Sequence, residues 1–397
     1  MDKVIFLVDM NAFFISCEMS RRPEIMGKPA AVAGDPKNRS GIILAANYEA
    51  RKFGVKTTMV IHQALKLCPG MILIPPDHQY YEARSSEVMS LLGNYSPIIE
   101  QNSIDEAWID MTGTENLFGK PVEAARRIMD DIHDGLGLWC SIGISENKLL
   151  AKIASEIKKP MGITELWVRD IKEKLWPLKV TEMYGVGKQT ALKLNNIGIM
   201  TIGDLAVYDT KALTKLLGKQ GAELQAHANG LDQSPVTPHT SGEMKSIGRS
   251  TTLSQDVTDI EAIRNIFLEM CEEVGFDARK HNKKARTVQI TIKYSDFQTI
   301  TRQAGVEPTN LTKDIFERGF LLLGKNWSNL RPVRLIGVSI SGFDKEMLSQ
   351  QLSLFDGEEN FGQSEKEEKL EKALDDIRLK HGLGSVTRAV QIKRHNL

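Results

Sequence analysis

A chain of 397 residues is too long for one hydrophobic core and predicts two to four domains. Its 41% hydrophobic and 26% charged residues are a globular composition; no apolar run approaches the roughly 18 residues of a membrane span, and the start lacks the basic stretch and cleavage site of a signal peptide, so a cytoplasmic protein with no membrane partner is expected. The formal net charge of zero argues against a nucleic-acid binder unless basic residues gather on one face, and Cys17, Cys68, Cys140 and Cys271, with no Cys-x-x-Cys pair, argue against a disulfide framework or a structural zinc.

In chain order, Val4 to Val8 is an apolar, β-branched strand ending at Asp9, followed by a turn and a helix through Glu18. A carboxylate at such a strand end can ligate a divalent cation, and the next backbone carbonyl can add an oxygen. Asp9 and the Met10 carbonyl fit those roles; the alternative is that Asp9 caps the helix. Residues 29–34 and 41–46 predict strands, and a helix begins near Glu49. Tyr48 and Arg51, three apart, share a face there, where a phenol, a guanidinium and backbone N–H groups suit a triphosphate. The alternative is a surface Arg51 paired with Glu49. Gly54 is expected to close the turn.

Residues 80–92 carry Val88, Leu91 and Leu92 at helical spacing. The run Asn102 to Asp110 then sets Asp105 and Glu106 among Ile104, Ala107, Trp108 and Ile109. Ionised side chains in apolar strands are costly unless paired or metal-bound, so Asp9, Asp105 and Glu106 predict one divalent-metal site; a β-turn is the bland reading. Asp110 is expected to be structural. Pro121 to Gly135 predicts a helix with Ala124, Ala125, Ile128, Met129 and Ile132 inward. Cys140 to Ile144 predicts a strand, and Asn147 to Ala154 a helix before the turn at Lys158 to Gly162. Lys148 and Lys152 read most simply as solvated surface charges.

Val8-Asp9-Met10-Asn11-Ala12-Phe13-Phe14, Ala45 to Val55, and Ser103-Ile104-Asp105-Glu106-Ala107 together resemble the Y-family (translesion) DNA polymerases of the bacterial DNA polymerase IV (DinB) and UmuC type, and the likeness covers most of the chain. Asn11 replaces an aspartate common in DinB-type members and looks more like UmuC. The resemblance implies that Asp9, Asp105 and Glu106 hold two Mg²⁺ ions, for which Mn²⁺ can substitute. It implies that Phe14 is a steric gate under the nucleotide sugar, with core packing as its alternative, that Tyr48 and Arg51 hold the β and γ phosphates, and that Lys159 contacts the triphosphate.

Further on, Gly185-Val186-Gly187 before Lys188 to Leu194 is a helix-hairpin-helix pattern, whose backbone N–H groups and helix amino terminus grip phosphates without reading sequence. Gly218 and Gly221 suggest a second copy. A polar linker with two prolines spans 231–243. Beyond it, helices near 260–275 and 309–323 and β-rich stretches at 286–294 and 332–341 form a compact domain. Arg249, Arg286, Lys293, Arg302, Arg331 and Arg334 on its strands, with Arg279, Lys280, Lys283 and Lys284 in a turn, are the expected basic face that tracks duplex DNA. Gln351-Leu352-Ser353-Leu354-Phe355 resembles a bacterial sliding-clamp peptide, with Gln351, Leu352, Leu354 and Phe355 as its contacts. Residues 364–380 predict a charged amphipathic helix with Leu370, Leu374 and Ile377 on one stripe.

The expected architecture is a multidomain α+β fold. It has a ferredoxin-like palm (1–18 and 79–168), small fingers (19–78), a helical thumb with helix-hairpin-helix (169–230), the linker, a C-terminal α/β little finger (244–345) and a tail (346–397). The expected function is a low-fidelity, lesion-bypass DNA polymerase without proofreading, monomeric, with primer-template DNA, dNTP and the sliding clamp as partners. A nucleotidyl cyclase, a non-catalytic DNA-binding scaffold and a structure-specific nuclease are the rival readings. The cyclase needs no clamp peptide, the scaffold would lose its metal acids, and the nuclease would release nucleotides rather than add them.

Overall fold

The computed structural model describes residues 3–35, 41–238, 244–328, 330–343, 358–382 and 385–386, with side chains of the last helix from Lys366 onward. The chain divides into two compact units, one reaching Thr240 and the other beginning at Ser241.

In the first unit β1 (Ile5–Met10) leads into α1 (Phe13–Arg21), then into a small α/β segment of β2 (Ala30–Ala33), β3 (Ile43–Ala46), α2 (Tyr48–Lys52), α3 (Ile61–Leu67) and β4 (Ile72–Ile74). Next come α4 (His78–Leu92), β5 (Ile99–Gln101), β6 (Glu106–Asp110), α5 (Glu115–Phe118), α6 (Pro121–Leu136), β7 (Cys140–Ser145), α7 (Lys148–Ile157) and β8 (Ile163–Glu165). The small segment forms a three-stranded sheet, β3-β2-β4, and the rest a five-stranded sheet, β5-β6-β1-β7-β8.

Apart from Asp9, β1 is apolar because it is the central strand and both of its faces are covered; all six of its residues are buried. Phe6, Val8 and Met10 join the core formed with α1, α4 and α6. Ile5 and Leu7 point the other way, where Trp108 of β6 and Ala151 of α7 meet them. Alternation therefore assigns Asp9 to the α7 side of the sheet. α6 buries the five residues its spacing marks, Ala124, Ala125, Ile128, Met129 and Ile132. α7 lies unusually close to β7. A Cβ on Gly143 would sit 2.0 Å from the Ala151 carbonyl oxygen and 2.5 Å from Ser155 N, so only glycine permits this approach.

Five helices complete this unit: α8 (Ile171–Lys174), α9 (Lys188–Asn195), α10 (Ile202–Val207), α11 (Thr210–Leu217) and α12 (Lys219–Ala228). Their apolar faces share one core with Leu149, Leu150, Ile153 and Ala154 of α7. Residues 231–238, the first part of the expected linker, are strapped to the same unit. Asp232 Oδ2 accepts from Leu149 N at 3.1 Å, Thr237 N donates to Glu100 Oε2 at 2.9 Å, and Val236 packs against the Ile5, Leu7 and Trp108 cluster.

The second unit contains β9 (Ser246–Val257), α13 (Ile260–Lys280), β10 (Ala285–Tyr294), β11 (Thr299–Thr309), α14 (Thr312–Asn326), β12 (Val333–Ser341) and α15 (Glu358–His381). Its sheet runs β11-β10-β12-β9, entirely antiparallel, with α13 and α14 on one face. The expected basic sheet face is corrected here. Arg249 and Arg302 stand opposite buried Val338 and Ile290, so they project to the helix side. Arg249 pairs with Glu273 and Asp277 of α13, and Arg302 Nε donates to Asn326 Oδ1 at 3.0 Å. Arg331 precedes β12 and bonds Asp296 at 2.8 Å. Arg279 and Lys280 belong to the last turn of α13 rather than to a turn. The open face instead carries Gln289, Thr291 and Lys293 aligned with Gln303, Thr301 and Thr299 on one side and Ser339, Gly337 and Leu335 on the other. Of the stripe Leu370, Leu374 and Ile377, α15 turns only Leu374 partly inward, since Leu370 is 60% and Ile377 40% exposed. Gln351, Leu352, Leu354 and Phe355 lie outside the described residues.

Candidate active site

The register of β1 against β6 aligns Asp9 directly with Glu106. Directly opposed residues share a face, so the two carboxyls converge on the α7 side. α7 supplies what meets them. Lys152 Nζ lies 3.2 Å from Asp9 Oδ2, contacts Glu106 Oε1, and lies 3.1 Å from Glu156 Oε1 one turn further along. Lys159 Nζ reaches Asp9 Oδ2 and Glu156 Oε1, both at 2.8 Å. Reading Lys152 as a solvated surface charge is thus corrected: it is 9% exposed and sits among three carboxylates. Lys148 is likewise engaged, with both Glu100 oxygens at 2.7 Å and the Trp108 ring at 4.4 Å.

One oxygen from each of Asp9, Glu106 and Glu156 lies within 4.8 Å of the others. Such hard oxygen donors suit Mg²⁺, Mn²⁺ or Ca²⁺, and the two ammonium groups occupy their midst as cations in kind. The residues therefore fit a divalent ion. Asp105 precedes β6 and lies at the same cleft, with its Oδ1 accepting from Ser103 Oγ at 2.6 Å. Burial, then the hydrogen bond shared with Glu106, pushes the Asp9 carboxyl up to about 7. Burial acts the same way on Glu106, but hydrogen bonds from Asp9 and Lys152 outweigh it and hold that carboxyl below its ordinary value. Burial opposes the charge on Lys152, yet Glu106, Asp9 and Glu156 keep its pKa raised.

These groups open onto a cleft of about 260 Å³ that brings together Asp9, Met10, Phe14, Tyr48, Arg51, Asp105, Glu106 and Lys159. Phe14 stacks on Tyr81 with ring centroids 4.5 Å apart. Arg51 is fixed by its Nε donating to the Ala46 carbonyl at 2.9 Å and by lying 4.9 Å over the Tyr48 ring. α2 begins with Asn47, whose Oδ1 accepts from Ala50 N and Ala30 N, both at 3.0 Å, so the helix start is tied to β2. Buried Asn11 is structural: its Nδ2 donates to Ser141 Oγ at 3.0 Å and its Oδ1 accepts from Met161 N at 2.8 Å. Asp110 Oδ1 accepts from Thr112 N at 3.0 Å, away from the acids.

The remaining predicted residues lie elsewhere. Gly185 adopts φ +89°, Gly187 caps α9, and Lys188 opens that helix, exposed. Arg249, Arg286, Arg331 and Arg334 belong to the second unit, with Arg334 4.6 Å from the Phe297 ring. Sequence reasoning missed Glu156 and Lys152 as parts of the site. The available signal was their four-residue spacing on a helix whose small residues Ala151 and Ala154 mark the side laid against a strand.

Comparison with known proteins identifies the family. Residues 8–156 match the impB/mucB/samB family, 168–199 the IMS family HHH motif, and 244–354 the impB/mucB/samB family C-terminal domain. The chain is 58% identical over 397 residues to a DNA polymerase IV of Clostridium kluyveri, covering 99% of both, and 56% identical over 394 residues to one of Alkaliphilus oremlandii, covering 98% of this chain and 99% of the relative. A solved Y-family DNA polymerase chimera, Dbh-Dpo4(243-245)-Dbh, superposes with a TM-score of 0.77 at 28% identity, over 86% of this chain and 99% of its own. The fold is thus the multidomain α+β polymerase fold with a C-terminal little finger domain.

The chain belongs to the Y-family DNA polymerases, of the DinB type. It is a DNA-directed DNA polymerase of the lesion-bypass class, and a divalent metal, DNA and dNTP go with that class. Asn11 is therefore not a UmuC signature. Among the described residues no helix is long and apolar enough to cross a membrane.

Proposed function

We propose that this polymerase adds dNTPs to a primer 3′-hydroxyl at the cleft between β1, β6 and α7, with low fidelity and no proofreading, as a monomer in the bacterial cytoplasm. The observation that carries the reading is the cross-strand pairing of Asp9 with Glu106. Asp9, Asp105, Glu106 and the Met10 carbonyl would hold two Mg²⁺ ions, or Mn²⁺ in their place. Bound there, the ions would supply a lowered pKa for the primer hydroxyl and stabilisation of the charge that builds on the transferred phosphoryl group. Lys152 and Lys159 neutralise the acids when the site is metal-free. Lys159, with Arg51 and Tyr48, then offers donors to the triphosphate. Phe14, held by its stack on Tyr81, is the steric gate whose ring lies under the nucleotide sugar. The backbone at Gly185, Gly187 and Lys188 grips DNA phosphates, and basic groups of the second unit, Arg286 and Arg334 among them, add sequence-neutral affinity.

Primer extension on plain and lesion-bearing templates, run beside Asp105→Ala, tests this reading. The parent should extend both, and the variant should lose several orders of magnitude in rate. A parent that adds nothing with either Mg²⁺ or Mn²⁺ would refute it.

The tail segment Gln351, Leu352, Leu354 and Phe355 carries sliding-clamp binding in this reading, supported by the pattern of a glutamine anchor with leucine and aromatic side chains. Replacing Leu354 and Phe355 by Ala should leave distributive synthesis intact and abolish stimulation by the clamp. Unchanged clamp binding would overturn it.

A further inference from the structure

α15 is docked the wrong way round for an amphipathic helix. Three of its four large apolar residues past Lys366, Leu370, Ile377 and Leu379, are 60%, 40% and 68% exposed and the fourth, Leu374, is half-buried, whereas Glu371, Asp375 and Arg378 are at most 8% exposed. The helix is thus held by charge. Asp375 takes a two-pronged hydrogen bond from Arg279, Oδ2 from Nε at 2.5 Å and Oδ1 from Nη2 at 2.9 Å. Glu371 forms an ion pair with the same guanidinium at 3.2 Å and accepts from Thr312 Oγ1 at 3.2 Å. Glu368 pairs with Lys284 at 2.7 Å and Glu367 with Lys313 at 2.9 Å. One pair runs the opposite way, Arg378 to Glu272 at 3.0 Å, and pins the far end of the helix.

Burying ion pairs is a poor route to stability compared with burying leucines, because desolvation cancels most of the attraction. A helix selected only to pack would turn Leu370 and Ile377 inward. What the acids meet is a surface already built for anions. Arg279 is steadied by its Nη1 donating to the Asn310 carbonyl at 2.8 Å. Thr312 and Lys313 open α14, a 15-residue helix whose amino end has no side-chain cap, so its N–H groups and dipole favour negative charge. The acids that occupy this cradle recur about once per turn, roughly every 5 to 6 Å. That is a row of single negative charges along a line, the pattern a strand of phosphodiesters presents.

We propose that Arg279, Lys284, Thr312 and Lys313 form a second binding site for the backbone of a nucleic-acid strand, and that the acidic stripe of α15 is its built-in competitor. With the helix in place the cradle is neutralised. A single strand that displaces the helix exchanges carboxylates for phosphates on the same cations, so occupancy depends on the local concentration of strand and on salt.

The test uses the full chain saturated with an unlabelled hairpin primer-template, to which a fluorescent single-stranded oligothymidylate is titrated. A far-UV circular dichroism spectrum matching the parent shows that each variant is folded. The double variant Glu371→Gln, Asp375→Asn should bind the labelled strand at least tenfold more tightly than the parent. The gain should weaken with salt at a log–log slope of about −2, as three released phosphate contacts predict for a single strand. Adding Lys284→Ala and Lys313→Ala should remove the gain. Equal binding by the parent and the double variant overturns the proposal, as does a gain that survives loss of the two lysines.

Discussion

The Lys152 ammonium lies 3.2 Å from Asp9 Oδ2, although the two residues are 143 positions apart. It also contacts Glu106 and Glu156, so one buried cation holds together acids brought in by β1, β6 and α7. Lys152→Met leaves those acids without that partner. Breaking a buried pair on one side costs about 3 to 5 kcal/mol. Urea unfolding in EDTA should show a loss of that order, and saturating Mg²⁺ should recover part of it. A variant as stable as the parent in EDTA would show that Lys152 is not the counter-charge.

The pH dependence of the metal-free protein follows from Asp9. Its carboxyl titrates near 7 in the folded chain against an ordinary 3.8. A folded pKa above the unfolded one means that the proton favours the fold, so the contribution is full below about pH 4 and is lost as pH climbs to about 7. Asp9→Asn mimics the protonated form. In EDTA it should be more stable than the parent at pH 8 by a few kcal/mol, and the gap should close by pH 4. A gap independent of pH would contradict the assignment.

Gly143→Ala tests the contact that seats α7. The new methyl meets the Ala151 carbonyl at 2.0 Å and Ser155 N at 2.5 Å, both backbone atoms that cannot swing aside. Overpacking of this kind costs about 1 to 3 kcal/mol. Because Lys152 and Glu156 ride on the displaced helix, Mg²⁺ dependence in primer extension should shift to higher concentration. A normal Mg²⁺ titration in a destabilised variant would separate packing from the site.

Phe14→Ala removes the ring stacked on Tyr81 at 4.5 Å and opens the floor of the cleft. Ribonucleotide incorporation relative to deoxyribonucleotide should rise about a hundredfold, the discrimination an apolar wall can exert against one added hydroxyl. Single-nucleotide extension with matched dNTP and rNTP measures it. An unchanged ratio would return Phe14 to core packing.

Much of the site was legible because its signals are local. Asp9 ends an apolar strand, Asp105 and Glu106 interrupt another, and Tyr48 and Arg51 share a turn; all of them line the same cleft. What stayed hidden depends on which face a residue takes. Lys152 and Glu156 look like surface charges until the parity of β1 and the glycine contact at Gly143 turn that helix side toward Asp9. The strand arginines of the second unit failed for the same reason: Arg249 and Arg302 fall on the helix-covered side, a matter of register that no single strand reveals. In α15 the apolar stripe was legible but not its rejection, since the choice was made by cations on α13 and α14.

The ten residues of α7 answer to two neighbours. Leu149, Leu150 and Ile153 are keyed into the helices that carry the glycine hairpin, while Lys152 and Glu156 reach the acids. A rigid rod shared in this way is a mechanical linkage. Substitutions that loosen the end keyed into the hairpin helices should therefore be read out as altered cation affinity where Lys152 and Glu156 meet the acids.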